Sequence, residues 1–166
     1  HWRQEMLLDA AGVICEALGV EHPETEMFRQ TALERPFYGV YYGQAALPME
    51  PETMYILESD LLKNCRVYDY ESGQYTDVYN LEKLSSRDLY DVYLSGSQSL
   101  LRIENPGAAT ERELVIFRDS FGSAMIPLLL TDYAKVTARL SYFAESLSKM
   151  FAKPEQPQLP EGNEEN

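Results

Sequence analysis

A short, uninterrupted apolar run is the feature that most restricts the fold of this chain. Leu114-Val115-Ile116-Phe117 lacks the alternation of a strand with one wet face, so we expect a central parallel strand covered by helices on both faces. Arg118-Asp119-Ser120 ends the run. A helix, a strand and a second helix are predicted to follow, at residues 121–133, 135–140 and 144–151. This order of strand, helix, strand and helix is typical of an α/β fold.

Weaker patterns divide the rest of the chain. In chain order they predict an amphipathic helix, extended structure, a β-hairpin, a polar helix or turn and a short strand, at residues 3–18, 37–42, 65–79, 81–90 and 100–103. Gly19 follows the first helix as a C-terminal stop. Pro127 should kink or restart the helix after Ser120.

The length fits one domain and a tail. Residues 1–152 are expected to form the domain, because the 166-residue chain is 45% hydrophobic and can fill an ordinary core. Residues 153–166 hold three prolines and four glutamates, which is typical of a disordered acidic tail. The chain opens at His1-Trp2 without a Met, which we interpret as a fragment of a longer domain.

The charge balance excludes some partners. Fourteen Lys and Arg against 27 Asp and Glu give a net charge of -13, which repels phosphate backbones and anionic membranes, so we expect no nucleic-acid partner. No apolar run is long enough to span a bilayer. Cys15 and Cys65 are too few for a disulfide framework and have no metal-ligand spacing, so we expect neither metal nor cofactor. The acidic surface also leaves open a cytosolic protein-interaction module.

Ser120 is the strongest candidate for chemistry. It lies at the carboxyl end of a predicted strand and the amino end of a helix, where unpaired backbone N–H groups suit an oxyanion. A helix cap is the competing interpretation. A serine nucleophile needs a base, and the histidines are His1 and His22. His22 precedes Pro23 in a Glu-rich turn and is expected to be a solvated loop residue.

Several motifs resemble one bacterial family. They are His1-Trp2, Asp91 to Gly96, Leu114 to Gly122, Ile126 to Leu129 and Leu140 to Phe143. In this order and spacing they resemble the DHHW proteins, which look like relatives of the AlgX/AlgJ group of SGNH hydrolase-like proteins. That group acts in O-acetylation of exopolysaccharides. The resemblance implies a three-layer, flavodoxin-like parallel sheet with the usual SGNH motif order circularly permuted and a β-hairpin excursion.

The resemblance also implies roles for individual residues. His1 would be the catalytic base and Ser120 the nucleophile, with the triad aspartate two positions before His1. Gly96 would donate to the oxyanion, although Ser97 stands where an asparagine is common. Asp119 is expected to shape the turn rather than replace the triad acid. Arg139 and Ser141 stand where the family's Asp-Leu-Arg-Tyr-Phe pattern has its Asp and its Arg.

Two functions are therefore expected to compete. The first is an extracytoplasmic, cell-envelope or secreted esterase or O-acetyltransferase that acts on polysaccharide. Its partners would be an acetylated glycan and an acyl donor protein, with membrane contact only through a segment outside this chain. The second is a catalytically degenerate carbohydrate-binding or scaffold domain. Tyr41 and Tyr42 are candidates for a sugar platform, with half-buried sheet packing as the alternative.

Overall fold

The computed structural model describes residues 1–39 and 49–141 as a mixed α/β fold. Its strands are β1 Arg29–Phe37, β2 Glu52–Glu58, β3 Arg66–Asp69, β4 Gln74–Thr76, β5 Leu100–Glu104, β6 Arg112–Arg118 and β7 Tyr133–Leu140. Its α-helices are α1 Leu8–Leu18, α2 Asp60–Asn64 and α3 Ser120–Met125. Short 3₁₀ helices span Gln4–Met6, Thr25–Met27, Leu81–Ser85, Leu89–Val92 and Ile126–Asp132.

Two sheets organise these strands. β1 and β2 form an antiparallel pair, and the other five strands form a sheet in the order β4-β3-β5-β7-β6. Within the larger sheet only β6 and β7 are parallel. The expected parallel sheet with helices on both faces is therefore wrong for the part of the chain that is described. A parallel pair needs a crossover, and here α3 with the following 3₁₀ helix supplies one between β6 and β7.

The larger sheet buries one face. Inward-facing residues of β3, β5 and β7 pack against α2 and the 3₁₀ helix that follows α3. We call this set the sheet cluster, and its fully buried members include Cys65, Val67, Leu101, Ile103, Val136 and Ala138. A second set, the α1 cluster, lies between α1, the β1–β2 pair and the 3₁₀ helix Leu89–Val92. Its members include Ala11, Cys15, Leu57, Tyr93 and Leu128.

The apolar run that opened the sequence argument lies at the sheet edge. β6 pairs on one side with β7 and has no second neighbour among the described strands. Val115 is 63% exposed and Phe117 is 57% exposed, whereas Leu114 and Ile116 are partly buried against the core. The prediction of a central strand covered on both faces is therefore wrong for the described residues. An apolar groove of about 1160 Å³ runs between β6 and α1.

Local signals did better than the global pattern. The first predicted helix is present as a 3₁₀ turn followed by α1, and Gly19 ends α1 with a φ of 65°. α3 ends at Met125, and Pro127 lies in the first turn of the 3₁₀ helix that follows, so the predicted restart is confirmed. The hairpin is confirmed as β3 paired with β4.

Other expectations concern residues that the structure does not describe. The helix predicted at 144–151 and the tail at 153–166 lie outside the described residues, and the division into domain and tail stays a prediction. Across residues 1–39 and 49–141, none of the helices has both the length and the apolar character that a membrane span requires.

Candidate active site

In the turn between β6 and α3, one residue caps the helix and the next contacts the histidine. Asp119 is the N-cap of α3, and its Oδ1 accepts hydrogen bonds from the N–H groups of Phe121 at 3.0 Å and Gly122 at 3.1 Å. Ser120 is the first residue of the helix, and its hydroxyl takes no part in the cap. Asp119, and not Ser120, therefore caps the helix, which leaves the Ser120 hydroxyl free for another role.

The structure brings His1 and Ser120 together from opposite parts of the chain. His1 Nε2 lies 3.1 Å from Ser120 Oγ, within hydrogen-bond distance. The imidazole stacks on the Tyr90 ring, with 4.1 Å between centroids and 18° between planes. Phe121 lies 5.4 Å from the His1 ring and 4.9 Å from the Trp2 ring. This is the spacing of a base and a nucleophile in serine acyl transfer.

Buried tyrosines support the histidine from behind. Tyr90 donates from its hydroxyl to the Trp2 carbonyl at 3.1 Å, and its ring packs edge-on against Tyr93. Burial raises the pKa of Tyr90 above its ordinary value, with smaller contributions from nearby acidic groups. Tyr90 therefore stays a neutral hydroxyl that fixes the His1-Trp2 backbone. No carboxylate within residues 1–39 and 49–141 hydrogen-bonds the His1 ring.

Gly96 lies in a loop with unusual backbone geometry. Leu94, Ser95 and Gly96 have successive positive φ angles of 50°, 59° and 81°, and we call residues 94–98 the left-handed loop. The Gly96 N–H donates to the Tyr93 carbonyl at 3.0 Å, so the donor expected for the oxyanion is already engaged in this arrangement. A Cβ at position 96 would lie 2.2 Å from Asp91 Oδ1, which explains the glycine.

Arg118 is a site residue that sequence reasoning did not identify. It is 2% exposed, and its guanidinium donates to Ser123 Oγ at 2.5 Å and to the Gly96 and Gln98 carbonyls at 3.0 and 3.1 Å. Burial lowers the pKa of Arg118 from its ordinary value. The signal in the sequence was an arginine directly after an apolar run, because an arginine is seldom fully buried unless it is paired.

The remaining candidates lie elsewhere. Tyr41 and Tyr42 are outside the described residues. His22 is exposed and lies against α1, where a Cβ at Gly12 would come within 2.1 Å of its ring. In the described ranges, no three His, Cys, Asp or Glu side chains are grouped so as to hold a metal ion.

Comparisons with known proteins identify a family and similar solved structures. The family described as DHHW protein matches residues 1–138. No curated protein sequence matches the chain. A DHHW family protein from Eubacterium siraeum DSM 15702 has a similar solved structure, with a TM-score of 0.64 and 19% identity over 90% of this chain and 53% of that one.

Bacillus cereus PatB1 is a second similar structure. With a sulfonyl adduct it gives a TM-score of 0.63 and 16% identity over 84% of this chain and 49% of that one. The structure described simply as PatB1 gives 0.63 and 15% over 86% and 52%. The chain thus spans about half the length of these structures. Since the family match covers most of its residues, the chain belongs to the DHHW family.

Proposed function

We propose that this chain carries the nucleophile and the base of an SGNH-like serine esterase or O-acetyltransferase that acts on cell-surface or extracellular polysaccharide. The observation that carries the proposal is the 3.1 Å approach of His1 Nε2 to Ser120 Oγ at the amino end of α3. A helix amino end offers positive partial charge to an anion, and a histidine within hydrogen-bond distance can take the serine proton.

The proposed reaction has two halves. His1 accepts the proton as Ser120 Oγ bonds to the carbonyl carbon of an acetyl ester, and the carbonyl oxygen becomes an oxyanion. The ester C–O bond then breaks, His1 returns the proton to the departing alcohol, and acetyl-Ser120 remains. Water or a sugar hydroxyl attacks this intermediate in the same way, which gives hydrolysis or transfer.

The donors for the oxyanion are restricted by the cap. Asp119 already accepts from the N–H groups of Phe121 and Gly122, so the Ser120 N–H is the donor left at the start of α3. A second donor would come from the left-handed loop. Preorganised donors stabilise the oxyanion that forms in acyl transfer.

The finer parts of the proposal rest on family resemblance. They are a relationship to the AlgX/AlgJ group, a circularly permuted order of the SGNH motifs, a triad aspartate two positions before His1, and an extracytoplasmic location. An acetylated glycan and an acyl donor protein would be the partners, and membrane contact would come only through a segment outside this chain. The sulfonyl adduct of PatB1 supports a reactive nucleophile within this fold, because sulfonyl reagents are trapped by activated side chains.

A second candidate is a degenerate carbohydrate-binding or scaffold domain of the same fold. One observation favours it: Arg139 and Ser141 stand where the family's closing pattern has an Asp and an Arg. In that case the His1–Ser120 contact would be retained without catalytic activity.

Sulfonyl fluoride labelling separates the two candidates without knowledge of the polymer. The full-length protein is treated with phenylmethylsulfonyl fluoride, the modified residue is located by peptide mass mapping, and hydrolysis of a chromogenic acetyl ester is followed in parallel. We expect one adduct, on Ser120, and its loss together with esterase activity in Ser120→Ala.

Ser85→Ala is the matched control, because Ser85 is an exposed serine whose hydroxyl donates only to the Glu82 carbonyl. It should label and hydrolyse like the wild type. A wild type that neither labels nor hydrolyses, or a Ser120→Ala variant that does both, would overturn the catalytic proposal in favour of the degenerate domain.

A further inference from the structure

Arg118 is buried and forms no salt bridge with the described residues. Arg118 is 2% exposed, and none of the ion pairs among the described residues includes it. Removing a guanidinium from water is costly unless its donors are satisfied. Its neighbour Asp119 is turned to the α3 amino end as the cap. An arginine at this position therefore needs a reason other than charge pairing.

The reason is the set of oxygens that the guanidinium joins. One terminal nitrogen donates to Ser123 Oγ on α3, and the other donates to the carbonyls of Gly96 and Gln98. These two carbonyls flank Ser97. One planar group therefore links α3, which begins with Ser120, to the residues on either side of Ser97.

The Arg118 side chain is itself tightly held. The Ser141 N–H donates to the Arg118 carbonyl at 2.7 Å, which fixes the backbone at the end of β6. A Cβ at Gly122 would lie 2.7 Å from the Arg118 Cβ, so α3 crosses directly over the base of the side chain. The guanidinium is therefore aimed at the left-handed loop by the fold rather than by a flexible stem.

The left-handed loop needs such a support. Leu94 and Ser95 hold positive φ angles, which cost on the order of 1–2 kcal/mol each for residues with a side chain. Asn80 donates from its side-chain amide to Ser95 Oγ at 2.9 Å and holds one side of the loop. Arg118 holds the other. Strained backbone of this kind persists only where the surroundings enforce it, and it concentrates at functional sites.

We propose that Arg118 is a positioning residue that holds the left-handed loop so that Ser97 donates to the acyl oxygen on Ser120. Ser97 is exposed, and within the described residues neither its N–H nor its hydroxyl makes a hydrogen bond, whereas the Gly96 N–H is engaged. The inference rests on the proposed acyl transfer. It assigns the missing oxyanion donor to the residue between the two carbonyls that Arg118 binds.

Arg118→Lys tests the proposal. A lysine keeps the charge, but its single ammonium does not reproduce the planar fork that reaches both the loop and α3. In the full-length protein we expect kcat for a chromogenic acetyl ester to fall by roughly 10- to 100-fold with KM within about twofold, because loss of one oriented donor acts on the transition state. Arg112→Lys, at the other end of β6, is the matched control and should change neither constant.

Ser123→Ala provides a second variant in case Arg118→Lys folds poorly. It removes the anchor on α3 and leaves the charge in place, so a smaller fall in kcat is expected. Unchanged kcat in both variants, with wild-type activity present, would overturn the positioning role while the proposed function stands.

Amide hydrogen exchange keeps the two proposals separate. Exchange at residues 95–98 is compared in the wild type, Arg118→Lys and Arg112→Lys. We expect the loop amides to exchange at least about tenfold faster in Arg118→Lys and at the wild-type rate in Arg112→Lys, because only Arg118→Lys loses the hydrogen bonds to the Gly96 and Gln98 carbonyls. Unchanged exchange would overturn the inference even if the wild type proved to have no Ser120-dependent activity, which would count against the proposed function alone.

Discussion

The two edges of the larger sheet use the same residue types under different constraints. At the β3–β4 edge, Gly73 turns the hairpin with a φ of 69°, and the nearest atom to an added Cβ is 3.9 Å away. The left-handed loop, which Arg118 joins to the end of β6, approaches Asp91 so closely that a Cβ at Gly96 would lie 2.2 Å from the carboxylate. Both places need a glycine for its positive φ, but only beside β6 would an added Cβ also meet a neighbouring side chain.

The arginines at the two edges differ in the same way. Arg66 on β3 pairs with Asp77 at 2.7 Å, with 54% and 66% of the two side chains exposed. Arg118 on β6 is buried and bound to three uncharged oxygens. A glycine or an arginine therefore does not by itself indicate the site. The glycine and the arginine near Ser120 differ from the others in being buried and closely surrounded.

Matched glycine substitutions test the comparison most strongly. Gly96→Ala should lower the free energy of unfolding by about 3 kcal/mol, because it adds a steric conflict with Asp91 to the cost of a left-handed alanine. Gly73→Ala should lower it by only about 1 kcal/mol, since it carries the backbone cost alone. Urea unfolding of both variants measures the difference. Equal losses would mean that the two turns are equally constrained.

The cap at the β6 edge gives the next largest effect. Asp119→Ala leaves two N–H groups of α3 without their acceptor and should cost about 1 kcal/mol of stability. Asp119→Asn retains a side-chain oxygen and should cost much less. Thermal unfolding of the two variants checks this. An alanine variant as stable as the asparagine variant would contradict a capping role.

A pH titration sharpens the contrast through Asp91. Burial, and then the charge of Asp88, raise the pKa of Asp91, so its protonated form favours the folded state. Relative to Asp91→Asn, the wild type should therefore gain stability as pH falls from about 7 through the folded pKa of Asp91 toward the unfolded value of about 3.9. The gain should stay below about 1 kcal/mol, because the carboxylate is partly exposed to water. A constant difference across urea titrations would refute it.

The smallest effect is expected at the exposed ion pair. Arg66→Ala should change the free energy of unfolding by less than about 0.5 kcal/mol and become neutral in high salt, because solvated pairs contribute little. Chemical denaturation at low and high ionic strength measures this. A loss as large as that of Asp119→Ala would show that the β3–β4 edge is more constrained than its exposure indicates.

Sequence reasoning succeeded where the signal was local. Gly19 and Pro127 marked the end of α1 and the restart after α3, because their backbone restrictions act within a turn. The apolar run of β6 predicted a strand but not its neighbours, since an apolar side chain does not specify what covers it. The antiparallel pairing of β5 with both neighbours depends on contacts that periodicity does not contain.

The candidate site depended even more on distant contacts. His1 and Ser120 are 119 positions apart, so family resemblance and not spacing joined them before the structure did. Arg118 looked like an ordinary polar end to a strand, because its role depends on a loop that folds over it. The engagement of the Gly96 N–H within its own turn was likewise invisible in the sequence.

The two cysteines lie in different parts of the interior, one in each hydrophobic cluster. Cys15 lies in the α1 cluster and Cys65 in the sheet cluster, both are buried, and burial raises the pKa of both thiols, that of Cys65 to about 12. Because the thiolate is the form that reacts, alkylation requires local opening of the surrounding core. The alkylation rate of each thiol therefore measures how often its own cluster opens. Together the two rates compare the local stability of the two clusters in the native state.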